Sequence, residues 1–191
     1  VDFYTCSAHK ICGPTGIGML YGKRDLLEAL PPYQGGGEMI DQVSFEKTTY
    51  AGLPNKFEAG TPNICGGIAF GRALDYMNNI GFEKIQAYEQ ELLEYATDRL
   101  NEFENVIIYG TTTDKKTAVI SFNFEGLHPY DVGTLADKMG IALRTGHHCA
   151  QPIMDFFKIP GTIRASFCFY NTKAEIDLMI DALQKANTML L

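Results

Sequence analysis

The second half of the chain constrains the fold most. From Val106 onward, short β-branched and aromatic runs alternate with stretches of helical periodicity. Val106 to Tyr109, Ala118 to Phe124, Ile141 to Thr145 and Ile163 to Tyr170 read as strands, and Pro129 to Met139 and Lys173 to Leu190 read as helices. Four strands with helices between them can bury their apolar faces only as packed layers, so this half is expected to form a small α+β domain. Two long amphipathic helices precede it. Ile64 to Ile80 carries Ile64, Ile68, Ala69, Ala73 and Met77 near helical spacing. Phe82 to Phe103 repeats the pattern with Ile85, Leu92, Leu93, Ala96, Leu100 and Phe103, and the two meet around Gly81.

The first eighty residues have a different texture. Val1 to Cys6 reads as a strand that feeds through Ser7-Ala8-His9-Lys10 into a glycine-rich turn, Gly13-Pro14-Thr15-Gly16, and then a second strand, Ile17 to Tyr21. Lys23 to Leu30 is a short helix stopped by Pro31-Pro32, and residues 35–63 are expected to be mostly loop. This region looks like the tail of a larger α/β domain, with a boundary that divides residues 1–78 from 79–191. The chain opens on Val1 inside a β-rich run rather than on an initiator Met, as an excised or incomplete product would.

Composition narrows the function classes. A net charge of −7 without a Lys/Arg run argues against a nucleic-acid or anionic-membrane partner. No apolar stretch is long enough to span a bilayer, and no basic-then-apolar leader is present. The five cysteines are odd in number and never form C-x-x-C, which suits neither a disulfide framework nor a structural zinc site; a reducing cytoplasm is expected.

Two loops carry candidate chemistry. Lys10 stands at a strand end beside hydroxyl and imidazole groups, where ligands of α/β sheets usually sit, although an ordinary solvated lysine would look the same. The glycines after it lack the order of a P-loop. The second loop is Arg144-Thr145-Gly146-His147-His148-Cys149-Ala150-Gln151-Pro152. Adjacent residues of one loop cannot easily supply three tetrahedral ligands, so no metal is expected there. Cys149 reads either as an inert packing cysteine or as a thiolate favoured by the imidazoles and Arg144.

Taken together, Ser7-Ala8-His9-Lys10-x-x-Gly13-Pro14-x-Gly16-x-Gly18-x-Leu20-Tyr21 resembles the lysine segment of the class V aminotransferase group of fold-type I pyridoxal-phosphate enzymes. The resemblance implies pyridoxal 5'-phosphate on Lys10, with Ser7 and His9 at its phosphate and ring. Phe57-Glu58-Ala59-Gly60-Thr61-Pro62-Asn63 resembles the family loop whose threonine reaches the phosphate of a neighbouring subunit, which gives Thr61 that role and implies a homodimer with a shared active site. Gly35-Gly36-Gly37 resembles a segment near the active-site mouth. The Arg144–Cys149 loop resembles that of SUF-type (group II) cysteine desulfurases. On that likeness Cys149 is the catalytic cysteine, Arg164 grips the substrate carboxylate, and Arg144 and His148 help bind substrate.

The implied fold is the C-terminal part of a fold-type I pyridoxal-phosphate transferase: the tail of its large α/β domain plus a small α+β domain. The implied reaction converts L-cysteine to L-alanine and leaves the sulfur on Cys149 as a persulfide, with Lys10 as cofactor anchor and base. A SUF-type acceptor protein would take the sulfur for iron-sulfur cluster assembly, and selenocysteine is a second candidate substrate. Two other readings stay open: another class V aminotransferase or lyase without a persulfide step, and, for the isolated chain, a catalytically incomplete fragment. The missing half would supply a ring-stacking histidine and the aspartate that pairs with the ring nitrogen.

Overall fold

In the computed structural model, which describes residues 1–191, strands β1 (Phe3–Ser7) and β2 (Gly18–Gly22) pair antiparallel from Phe3↔Gly22 to Ser7↔Gly18. They belong to the first of two units, Val1–Gly81 and Phe82–Leu191. A 3-10 turn over Ala8–Lys10 leads out of β1 and is organised around Ala8, which is fully buried. The Ala8 N–H donates to the Ile17 carbonyl at 3.0 Å, and the Ala8 carbonyl accepts from the Ile11 and Gly13 N–H groups at 2.9 and 2.8 Å. Two glycines make this closure possible. A Cβ on Gly13 would stand 2.9 Å from Ala8 Cβ, and one on Gly18 only 2.4 Å from the Cys6 carbonyl oxygen.

Helix α1 (Arg24–Ala29) stops before Pro31-Pro32, which cannot continue it. The stretch expected to be loop holds a second antiparallel hairpin, β3 (Ile40–Val43) with β4 (Thr48–Tyr50). Its turn is closed by Ser44, whose Oγ accepts from the Glu46 and Lys47 N–H groups. Thr49 Oγ1 ties the strands together by donating to Asp41 at 3.0 Å. Helix α2 (Ile64–Ile80) starts where Asn63 Oδ1 accepts from Gly66 N–H at 2.9 Å, as an N-cap should. Its buried stripe is Gly66, Phe70, Ala73 and Met77. Of the residues assigned to its apolar face from sequence, Ala73 and Met77 are buried, whereas Ile64 and Ile68 are 60% and 72% exposed. A strict 3.6-residue stripe through Ala73 passes through Phe70 and Gly66 instead.

The second unit runs α3 (Phe82–Leu100), β5 (Val106–Tyr109), β6 (Val119–Phe124), α4 (Pro129–Lys138), β7 (Arg144–Gly146), α5 (Gln151–Phe157), β8 (Thr162–Ser166) and α6 (Lys173–Leu190). The four strands form one antiparallel sheet in the order β5-β6-β8-β7. Strand alternation gives it two chemically distinct faces. Ile120, Phe122, Phe124, Ile163 and Ala165 point one way into a core with Leu92, Leu93, Ala96 and Leu100 of α3, Val132 of α4, and Ile176 and Leu183 of α6. Each fully buried Val, Leu, Ile or Phe among them contributes about 1.5–3 kcal/mol. Ser121, Asn123, Thr162 and Arg164 point the other way, onto the face that α5 covers in part through Phe157, whose ring packs at a tilt against Tyr109 with centroids 5.2 Å apart. Helix α6 begins with a capping box, Thr172 with Glu175.

Three boundaries differ from the sequence expectation. The strand expected over Ile141 to Thr145 pairs only from Arg144 onward; Ile141 and Leu143 pack against the core and line a cavity of about 360 Å³ beside Ala165 and Met179. The strand expected to reach Tyr170 ends at Ser166. Helix α5, where only a loop end was read, follows Cys149 directly, with Pro152 in its first turn. No helix is long and apolar enough to cross a membrane.

Candidate active site

Two groups of the residues singled out from sequence converge, one in each unit. Ser7, His9 and Lys10 lie on the 3-10 turn that β1 and β2 present at the end of their hairpin. The Ser7 hydroxyl caps nothing although it occupies the N-cap position, and it is half-buried. His9 and Lys10 are exposed, and neither makes a hydrogen bond or ion pair. The backbone of this turn is fixed by the buried Ala8, while three polar side chains are left unspent around it. That donor set, one amine able to bond an aldehyde carbon beside a hydroxyl and an imidazole able to meet a phosphate, fits an aldehyde-bearing phosphate cofactor.

Thr61 lies apart from this cluster in the same unit. It is exposed and lines a cavity of about 340 Å³ with Glu38, Glu58 and Gly60. The glycine block at residues 35–37 packs there too: the Gly60 N–H donates to the Gly37 carbonyl at 2.9 Å. The two motifs read separately in the sequence are therefore neighbours in space.

In the second unit, Arg144, His148, Cys149 and Arg164 come together on the polar face of the sheet. Arg144 and Arg164 are directly opposed across β7 and β8, so their side chains share that face. Neither is paired with a carboxylate, and Arg164 Nε is buried without an acceptor. Like charges directly opposite one another are unfavourable, and a fork of donors with no carboxylate is what an anion-binding site requires. One Arg144 Nη lies 3.8 Å from Cys149 Sγ.

Cys149 is exposed, and its presentation depends on an unusual backbone. His148 (φ 55°) and Cys149 (φ 61°) are consecutive non-glycine residues in the left-handed region. Such residues each cost of order 1–3 kcal/mol and persist where their surroundings hold them. The turn closes through Ala150 N–H to the His147 carbonyl at 2.9 Å, and α5 starts immediately afterwards. The His148 ring turns inward, with Nε2 3.0 Å from the Thr162 carbonyl oxygen and 2.9 Å from Thr162 Oγ1. Burial pushes the His148 imidazole below its ordinary value; the Thr162 carbonyl works the other way, and the charges of Arg164, Arg144 and His147 add to the lowering. His147 remains exposed. No three His, Cys, Asp or Glu side chains converge closely enough to hold a metal ion.

Sequence reasoning assigned no role to Thr162 or Asn123. Asn123 is a single amide inside the otherwise apolar end of β6, and that irregularity was the available signal.

Residues 1–179 match the family model described as aminotransferase class-V. The chain is 52% identical over 184 residues to a probable cysteine desulfurase of Streptomyces coelicolor, covering 96% of this chain and 44% of that protein. It is 47% identical over 188 residues to a cysteine desulfurase of Haloferax volcanii, covering 98% of this chain and 44% of that protein. Among solved structures, the crystal structure of the cysteine desulfurase CsdA from Escherichia coli superposes with a TM-score of 0.94 at 40% identity, over all of this chain and 47% of that one. The chain thus spans less than half the length of the relatives it matches.

Proposed function

The chain belongs to the class-V aminotransferase family, and we propose that it is the C-terminal part of a pyridoxal-phosphate-dependent cysteine desulfurase. The observation that carries this reading is the carboxylate-free pair Arg144 and Arg164 beside the exposed Cys149. An amino-acid carboxylate is the anion such a fork fits, and the Cys149 sulfur one guanidinium away can receive the amino acid's sulfur. Residues 1–78 are the end of the large cofactor-binding domain, and residues 79–191 are the small domain.

The cofactor is pyridoxal 5'-phosphate; when bound, it withdraws electrons from the substrate's α-carbon. Lys10 holds it through Nζ and, once free, carries the substrate's α-proton at that atom. Ser7 and His9 bind its phosphate and ring, and Thr61 contributes a phosphate contact to a second copy of the protein in a homodimer. Arg164 grips the carboxylate of L-cysteine, and Arg144 and His148 help bind the substrate. Cys149 then takes the substrate's sulfur as a persulfide, and the carbon skeleton leaves as L-alanine. The Arg-Thr-Gly-His-His-Cys-Ala run supports placing the parent protein among the SUF-type enzymes, with a SUF-type acceptor, a role in iron-sulfur cluster assembly in the cytoplasm, and selenocysteine as a second substrate.

The test is alanine production from L-cysteine by the full-length parent protein and its Cys149→Ala variant. A desulfurase loses turnover with Cys149. An aminotransferase or a lyase without a persulfide step keeps it, and that result would overturn the assignment.

A further inference from the structure

We propose that Thr162 is a positioning residue for Cys149: its hydroxyl and carbonyl together tether the His148 ring and so hold the left-handed His148-Cys149 pair that presents the thiol. The proposal rests on the role of Cys149 given above, but the tether itself is a property of this chain.

The geometry carries it in three steps. Thr162 is 1% exposed and sits at the start of β8, one residue beyond the last β6–β8 pair, Phe122↔Ile163. Asn123 takes over where that ladder stops. Its Nδ2 donates to the Gly161 carbonyl at 2.8 Å and its Oδ1 accepts from the Ile163 N–H at 3.3 Å, so Thr162 is stapled on both sides to β6 by one buried amide. Gly161 permits the close passage of the Cys149 loop, since a Cβ there would stand 3.0 Å from the backbone of Gly146.

The second step is the tautomer. A carbonyl oxygen only accepts, so the contact between Thr162 O and His148 Nε2 requires a hydrogen on Nε2. The Thr162 hydroxyl oxygen accepts from the same N–H. The opposite tautomer would set two lone pairs against each other at 3.0 Å and leave a buried N–H at Nδ1, which has no partner. His148 is therefore fixed as the Nε2–H form. The third step is mechanical: with the ring anchored to the sheet and Ala150 bonded to His147, the two strained residues between them cannot relax to a right-handed conformation without breaking the tether.

The test separates the hydroxyl from the methyl. Thr162→Val keeps the buried volume and loses the hydroxyl; Thr162→Ser does the reverse. In the 191-residue chain, amide hydrogen exchange over residues 146–150 is expected to quicken about fivefold in Thr162→Val, the loss of one hydrogen bond, and to stay within about twofold of wild type in Thr162→Ser. Melting temperature should follow the opposite order, because the methyl is what packs. Equal exchange in wild type and Thr162→Val, or Thr162→Ser behaving like Thr162→Val, overturns the tether. Nitrogen NMR of the unmodified chain is an independent check: the Nε2–H tautomer at His148 is expected, and the Nδ1–H tautomer refutes the proposal. In the full-length parent, Thr162→Val should lower kcat for alanine formation by a larger factor than it raises KM for L-cysteine. A parent that forms no alanine defeats the desulfurase reading and leaves the exchange and tautomer results standing; slow exchange in Thr162→Val with full alanine turnover defeats the tether alone.

Discussion

Replacing Arg164 by Met should make this chain more stable. Arg164 faces Arg144 across β7 and β8, has no carboxylate partner, and keeps Nε buried without an acceptor. An unsatisfied buried donor costs about 1–3 kcal/mol, and a like-charged cross-strand pair costs up to about 1 kcal/mol more. Met preserves most of the aliphatic stem while removing both penalties. Allowing for imperfect repacking, a net gain of about 1–2 kcal/mol is expected. With a urea slope of about 2 kcal/mol/M, the unfolding midpoint of the 191-residue chain rises by about 0.5–1 M. The same substitution in the full-length parent removes charge-assisted hydrogen bonds to the substrate carboxylate worth about 1.5–3 kcal/mol, which raises KM for L-cysteine about 10- to 150-fold. A protein destabilised by Arg164→Met would refute the reasoning, because the guanidinium would then be a structural tie and not an anion fork held open for a ligand.

Three further substitutions probe the frame around Cys149. A Cβ on Gly133 of α4 would stand 2.4 Å from Thr145 Cγ2, so Gly133→Ala should cost about 1 kcal/mol in urea unfolding despite its better helix propensity. Adding Thr145→Ser removes the clashing methyl and should restore or exceed wild-type stability. The lowered value of His148 makes stability fall with acid: the unfolded chain protonates at about 6.5, before the folded one, so this contribution is intact above about pH 7.5 and is lost as pH drops from the unfolded value toward the folded one. Urea midpoints across that range should show a shallower slope in His148→Gln than in wild type, and parallel slopes would contradict the assignment.

Parts of the second unit were legible in the sequence because there the signals of pattern and capping agree. Strand Val106–Tyr109 and helix α6 fall where apolar periodicity places them, with Thr172 and Glu175 marking the start of the last helix. Two of the misreadings share a physical cause, since an apolar run does not say what it packs against. Ile141 to Leu143 is apolar because it lines a cavity, and Ile64 and Ile68 are exposed on their own unit. Hairpin β3–β4 escaped notice because its two strands are short and its turn is made by a serine hydroxyl rather than by Asn-Gly. Helix α5 begins inside a block read only as a loop, where Pro152 is well tolerated in a first helical turn.

The site divides in the same way. Motif spacing pointed to Lys10, Cys149 and Arg164 because each stands in a short contiguous block. The cross-strand pairing of Arg144 with Arg164 and the inward turn of His148 onto Thr162 depend on sheet register, and residues 14 or more apart carry no such information in their order.

Peptide mass spectrometry of the full-length parent, quenched after a single turnover with L-cysteine and pyridoxal 5'-phosphate, tests the central claim most directly. The account predicts one additional sulfur atom confined to the peptide that carries Cys149, with none on those carrying Cys6, Cys12, Cys65 or Cys168. Alanine formed with the extra sulfur on another cysteine, or on none, would contradict it.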